Sequence, residues 1–141
     1  MNSVLIIDDE KALADVLRQA LIKYNYNVET AYSGREGIKK FDENLYDLVI
    51  TDIVMLGLDG NDVVQHIRES EKPSTPVIGT SGTPWLLKEK CFDAVLVKPF
   101  SIHTMLTTIE KLHPKETLEE IITGVQNVSD FVSKSMPVSD E

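Results

Sequence analysis

The sequence is poor in several things that would point to other classes of protein. Cysteine occurs once, as Cys91, so the chain can form no internal disulfide and no paired-cysteine metal site. A lone thiol in such a chain reads as a small buried apolar residue instead of a reactive group. Basic residues are scarce, 14 against 23 acidic ones, and the formal net charge is −9. A surface of that sign repels phosphate backbones, which argues against direct nucleic-acid binding. No apolar run approaches the roughly 20 residues that cross a bilayer. The first such run, Val4–Ile7, stops at Asp8-Asp9, so no export or membrane segment is expected and a cytoplasmic protein is. With 141 residues, 42% of them apolar and 26% charged, the chain suits one soluble domain and is short for two.

What is present is a repeating order of short apolar runs and amphipathic stretches. The runs Val4–Ile7, Leu48–Thr51, Val77–Thr80 and Val95–Val97 are nearly continuous in apolar character, with a weaker one at Val28–Tyr32. Continuous runs suit strands covered on both faces of a parallel sheet. Between them, Leu13, Val16, Leu17, Ala20, Leu21 and Tyr24 form one helical stripe. Ser33 and Glu36 suggest a capping box for a second helix, and Asn61 a cap for a third carrying Val63, Val64 and Ile67. A short helix is expected over about 84–91, and Ser101 can cap another that Pro114 ends. Five β-α units predict an α/β fold: a doubly wound, five-stranded parallel sheet of flavodoxin-like (βα)5 form. An additional C-terminal helix is expected over 115–133. The expected divisions are 1–113 for the main domain, 114–135 for the helical extension and 136–141 for a flexible tail.

Open parallel sheets bind ligands beyond the carboxyl ends of their strands. There the sequence sets Asp8-Asp9 after strand 1, Asp52 after strand 3, Ser81-Gly82 after strand 4 and Lys98-Pro99 after strand 5. Any one aspartate after a strand can be an ordinary loop carboxylate; this many polar groups on one edge favour a site. Three carboxylates packed together stay ionised only beside a cation, and hard oxygen donors suit Mg²⁺. A metal, a nucleophilic carboxylate and an ammonium are the parts that phosphoryl transfer requires.

With these residues in place, residues 2–113 resemble the receiver domains of two-component and phosphorelay signalling. Asp8-Asp9 matches the acidic pair, and Asp52-Ile53-Val54-Met55 with Asp59-Gly60 the stretch around the phospho-acceptor. Pro76–Gly82 matches the fourth strand, and Lys98-Pro99-Phe100 the lysine motif with its cis peptide bond. The resemblance implies that Asp52 is phosphorylated by a histidine kinase or phosphotransfer protein. It further implies direct Mg²⁺ ligation by Asp9, Asp52 and the Val54 backbone carbonyl, with Asp8 acting mainly through water. Lys98 would pair with Asp8 at rest and with the phosphoryl group afterwards, and Ser81 would be the switch hydroxyl. Such a protein catalyses its own phosphorylation and slow dephosphorylation, and signals to a downstream protein target or to an output domain missing from this chain.

Three departures bear on the readout. Val95 occupies the position of the family's aromatic switch residue and cannot swing as a Tyr or Phe does. Sixteen residues separate Ser81 from Lys98, fewer than the family shows, and Leu56-Gly57-Leu58 replaces a proline-centred loop. Two other classes fit the residues less well. A haloacid-dehalogenase-type phosphohydrolase needs a second Asp where Val54 stands, and a flavin-binding module needs a phosphate loop where Asp8-Asp9 would repel it. Trp85 reads as an anchor of the short helix, and His66, His103 and His113 as solvated or helix-end residues. The stripe Leu118, Ile121, Ile122, Val125, Val128, Phe131 and Val132 must be buried somewhere: on the domain itself, in a homodimer contact, or as a linker.

Overall fold

The computed structural model describes residues 2–84 and 91–112. Its strands are β1 (Ser3–Ile7), β2 (Asn27–Ala31), β3 (Leu48–Asp52), β4 (Val77–Ser81) and β5 (Ala94–Val97). They pair in parallel in the order β2-β1-β3-β4-β5. The helices among the described residues are α1 (Lys11–Ile22), α2 (Gly34–Glu43), α3 (Gly60–Arg68) and α4 (Ile102–Leu112). The expected doubly wound parallel sheet is therefore present. The short helix expected over 84–91 centres on residues outside the described ones, as do Trp85, His113, the extra helix and the tail.

Successive side chains of a strand point to opposite faces, and here each face has its own core. Val4, Ile6, Leu48, Ile50 and Ile78 pack with Ala14, Leu17 and Leu21 of α1 and with Met105 and Ile109 of α4. Leu5, Ile7, Val49 and Val77 pack on the other face with Phe41 of α2 and with Val63, Val64 and Ile67 of α3. This double burial explains why β1, β3 and β4 read as unbroken apolar runs. The outer strands differ: β2 alternates between exposed and half-buried positions up to the buried Ala31, and Val97 of β5 faces water.

Helix starts follow local hydrogen bonding, with two differences from expectation. The Ser33 hydroxyl accepts from the Glu36 amide at 3.0 Å, but the Glu36 carboxylate accepts from the Tyr32 amide instead of completing a reciprocal box. The cap of α3 is Asp59 and not Asn61: Asp59 accepts from the Asp62 amide at 3.1 Å, and Asp62 accepts from the Asp59 amide at 2.9 Å. The helix starts earlier than expected because Gly60 enters it pressed against β3. A Cβ there would lie 2.6 Å from the Asp52 carbonyl oxygen. Ser101 accepts from the Thr104 amide at 3.0 Å, as its position before α4 predicts.

Cys91 is exposed, contrary to the expectation of burial. It precedes β5, where Phe92 takes the inward position against the core. The Cys91 carbonyl instead serves Arg68, whose guanidinium also donates to the carbonyls of Pro73 and Thr75 and to the Asp93 carboxylate. Asp93 in turn accepts from the Val77 amide at 2.8 Å, so the starts of β4 and β5 share one bracket. His66 pairs with Asp42 at 2.8 Å on the surface.

Asp59→Ala removes the α3 cap and should cost about 1 kcal/mol of stability in urea unfolding. Gly60→Ala should cost more, because the added methyl meets backbone that cannot move aside.

Candidate functional site

Strand register assembles the site. Ile7 pairs with Thr51, so the residues that follow them, Asp8 and Asp52, emerge side by side from the two central strands. Asp52 pairs with Thr80, and Ser81 with Val97, which places Ser81 and Lys98 next along the same edge. The Lys98 amide continues the ladder by donating to the Ser81 carbonyl at 2.9 Å. The Lys98–Pro99 bond is cis, as the resemblance implied.

Two carboxylates at this edge are almost wholly removed from water, Asp8 at 2% exposure and Asp52 at 6%. The Lys98 ammonium lies 3.4 Å from Asp52 and 3.8 Å from Asp8. It therefore bridges both and sits nearer Asp52, where pairing with Asp8 was expected. Burial raises the pKa of Asp8, opposed by the Glu10 amide, which donates to it at 2.9 Å, and by Lys98. Burial likewise pushes Asp52 up to about 6, with Lys98 pulling the other way and Asp8 adding repulsion. The fold thus holds a carboxylate whose ionised form is under-solvated.

Carboxylate oxygens of Asp8, Glu10 and Asp52 all lie within 4.8 Å of one another, a donor set that fits a hard divalent cation. Glu10 was not among the residues singled out from the sequence, although it extends the acidic run Asp8-Asp9. Asp9 stands slightly apart: it is exposed, and its carboxylate accepts from the Leu56 amide at 3.4 Å. That contact ties the loop after β3 to the end of β1. Val54 lies in the same loop with its side chain exposed. Gly57 turns this loop with φ 76°, a left-handed conformation that suits glycine. Ser81 is buried, and its hydroxyl accepts from the Thr83 amide at 2.9 Å. Val95 is half-buried on the outer strand β5, on the ladder beside Gly79.

The family model for the response regulator receiver domain matches residues 4–110. The chain belongs to this family. The receiver domain is 32% identical over 132 residues to the response regulator ArlR of Staphylococcus aureus, a match covering 86% of this chain and 57% of ArlR. The chain thus spans little more than half the length of that relative. Among solved structures it is similar to response regulator TrrA of Thermotoga maritima, determined in complex with Mg²⁺-BeF. The two share 32% identity at a TM-score of 0.73, over 79% of this chain and 99% of TrrA. The chemotaxis response regulator CheY4 of Vibrio cholerae gives 29% identity and a TM-score of 0.73, over 79% and 98% of the two chains. No helix among the described residues is long and apolar enough to cross a membrane.

The raised pKa of Asp52 gives a stability prediction of definite sign. Between its ordinary value of 3.8 and about 6 the folded state holds a proton that the unfolded chain has lost. Stability contributed at Asp52 therefore falls as pH rises through that window, and the penalty is fully present at neutral pH. Asp52→Asn removes it, so in EDTA the variant should be more stable than the parent at pH 7.5, by about 1–3 kcal/mol. Thermal melts should show the advantage shrinking towards pH 4.

Proposed function

We propose that Asp52 takes a phosphoryl group from a phosphohistidine of a histidine kinase or phosphotransfer protein, and that the change alters contacts with a downstream target or an output domain outside this chain. The observation that carries this reading is the buried Asp52 carboxylate, held at the carboxyl end of β3 within 3.4 Å of the Lys98 ammonium. The Asp52 oxygen attacks phosphorus as the donor's P–N bond breaks, and the leaving imidazole keeps the electron pair. Lys98 moves its charge from the carboxylates onto the arriving phosphoryl oxygens. Ser81 gives up its local contact with Thr83 and donates to one of those oxygens, which draws the end of β4 towards Asp52.

The residues that hold Mg²⁺ in this reading are Asp9, Asp52 and the Val54 carbonyl, with Asp8 acting through water. That TrrA was determined in complex with Mg²⁺-BeF supports a magnesium ion as the cation of this site. The cation supplies neutralisation of the charge spread over the phosphoryl oxygens. Asp8 and Glu10 keep the site acidic and the metal in place, while burial of Asp52 excludes water from the attacking oxygen. The domain so defined is 1–113, followed by an extension over 114–135 and a tail over 136–141. With Val95 in place of an aromatic, the signal leaves through Ser81 and the segment that follows it.

Incubation of the full chain with acetyl phosphate should add one phosphoryl mass in a Mg²⁺-dependent reaction, and Asp52→Asn should abolish it. Unchanged labelling of that variant would overturn the assignment. Lys98→Ala should still fold but accept phosphoryl more slowly, on the order of 100-fold. Mg²⁺ should raise the melting temperature of the unmodified parent and do so much less for Asp52→Asn.

A further inference from the structure

The face of the sheet that carries α1 and α4 is incompletely covered. Between these helices lie two hollows. One, about 690 Å³, is walled by Leu13, Val16, Phe100 and Ile102 beside Lys98 and Pro99. The other, about 420 Å³, is walled by Tyr24, Tyr26, Leu106 and Thr107. Val16 and Tyr24 are each 57% exposed, and Leu106 is only partly buried on the core beneath. Large apolar groups left in water along one groove call for an occupant.

We infer that the occupant is the chain's own segment 115–133, laid back along the α1–α4 groove towards the phosphorylation edge. Two observations select it. First, α4 is described as far as Leu112, and that residue packs against the core shared by α1 and α4, so the chain passes on from this face. Residues 113 and 114, with Pro114 barring continuation of α4, leave only a short link. Second, Leu118, Ile121, Ile122, Val125, Val128, Phe131 and Val132 recur at helical spacing, and 19 residues as a helix measure about 28 Å. That exceeds the length of α4 and reaches from Leu112 back to Pro99 and Phe100. A two-residue link also gives the segment a millimolar effective concentration at the groove, which favours its own domain over a second copy in dilute solution.

The docked segment ends beside Lys98, Pro99 and Glu10, within reach of the phosphorylation edge. The inference stands whether or not Asp52 is the acceptor.

The test is paramagnetic relaxation on the full chain, with Cys91→Ser and a nitroxide on Gln19→Cys, an exposed position one turn from Val16 on the groove's rim. Isotope-labelled chain carrying the nitroxide, diluted in unlabelled chain without it, should lose the amide signals of 118–132. Leu106→Asp in the groove and, separately, Val125→Asp in the segment should each restore those signals while the sheet amides keep their dispersion. Full-strength signals for 118–132 in the parent would overturn the inference. So would broadening seen only when nitroxide-bearing chain is mixed with isotope-labelled chain that lacks it, since that identifies a contact between copies.

Discussion

Two carboxylates kept out of water beside one ammonium form the constraint around which this molecule is arranged. Asp8 and Asp52 reach the same place because β1 and β3 pair in a register that aligns the residues before them, Ile7 with Thr51. Lys98 reaches it because β5 carries the ladder one step further. A one-residue slip in either pairing would turn a carboxylate away from the edge and a core residue into water. The two apolar cores, one on each face, hold the register, and the register holds the site. The cost is an ionised group whose charge is only partly compensated, since burial raises both carboxylates despite the lysine. A site in that condition is receptive: a cation would relieve it, and so would converting the carboxylate into an acyl phosphate, with the cation and lysine taking up the new charge.

Much of this was legible before any coordinates. Unbroken apolar runs announced strands buried on both sides, and an aspartate, serine or lysine directly after the four strongest runs announced the edge. Those signals are strong because burial and strand position are written residue by residue. Other features were not legible, for physical reasons that can be named. The cap of α3 shifted from Asn61 to Asp59 because Gly60 can approach the Asp52 backbone, a contact between segments that pattern alone does not reveal. Cys91 became exposed because its neighbour Phe92 filled the inward position and its own carbonyl was recruited by Arg68. Glu10 entered the acidic group because the chain turns at Asp8, whose side chain binds the Glu10 amide. Its carboxylate is placed by that turn, not by the strand.

Residues absent from the usual pattern matter as much as those present. Val95 is half-buried on an outer strand and too short to sweep from core to solvent. The loop after β3 instead offers a bare connection, with Asp9 holding the Leu56 amide and Gly57 turning freely. Asp52 therefore has two short segments beside it, this loop and the one from Ser81 to Thr83. Both lie at the carboxyl edge.

The Arg68 bracket decides where changes at that edge stop. It fastens the beginnings of β4 and β5 to the end of α3 through Thr75, Cys91 and Asp93, at the opposite edge of the sheet from Ser81 and Lys98. Two neighbouring strands clamped at one end and loaded at the other behave as a pair of cantilevers. Force applied at the tips bends the tips and leaves the roots in register. The carboxyl ends of β4 and β5 can thus adjust without the sheet itself having to slide.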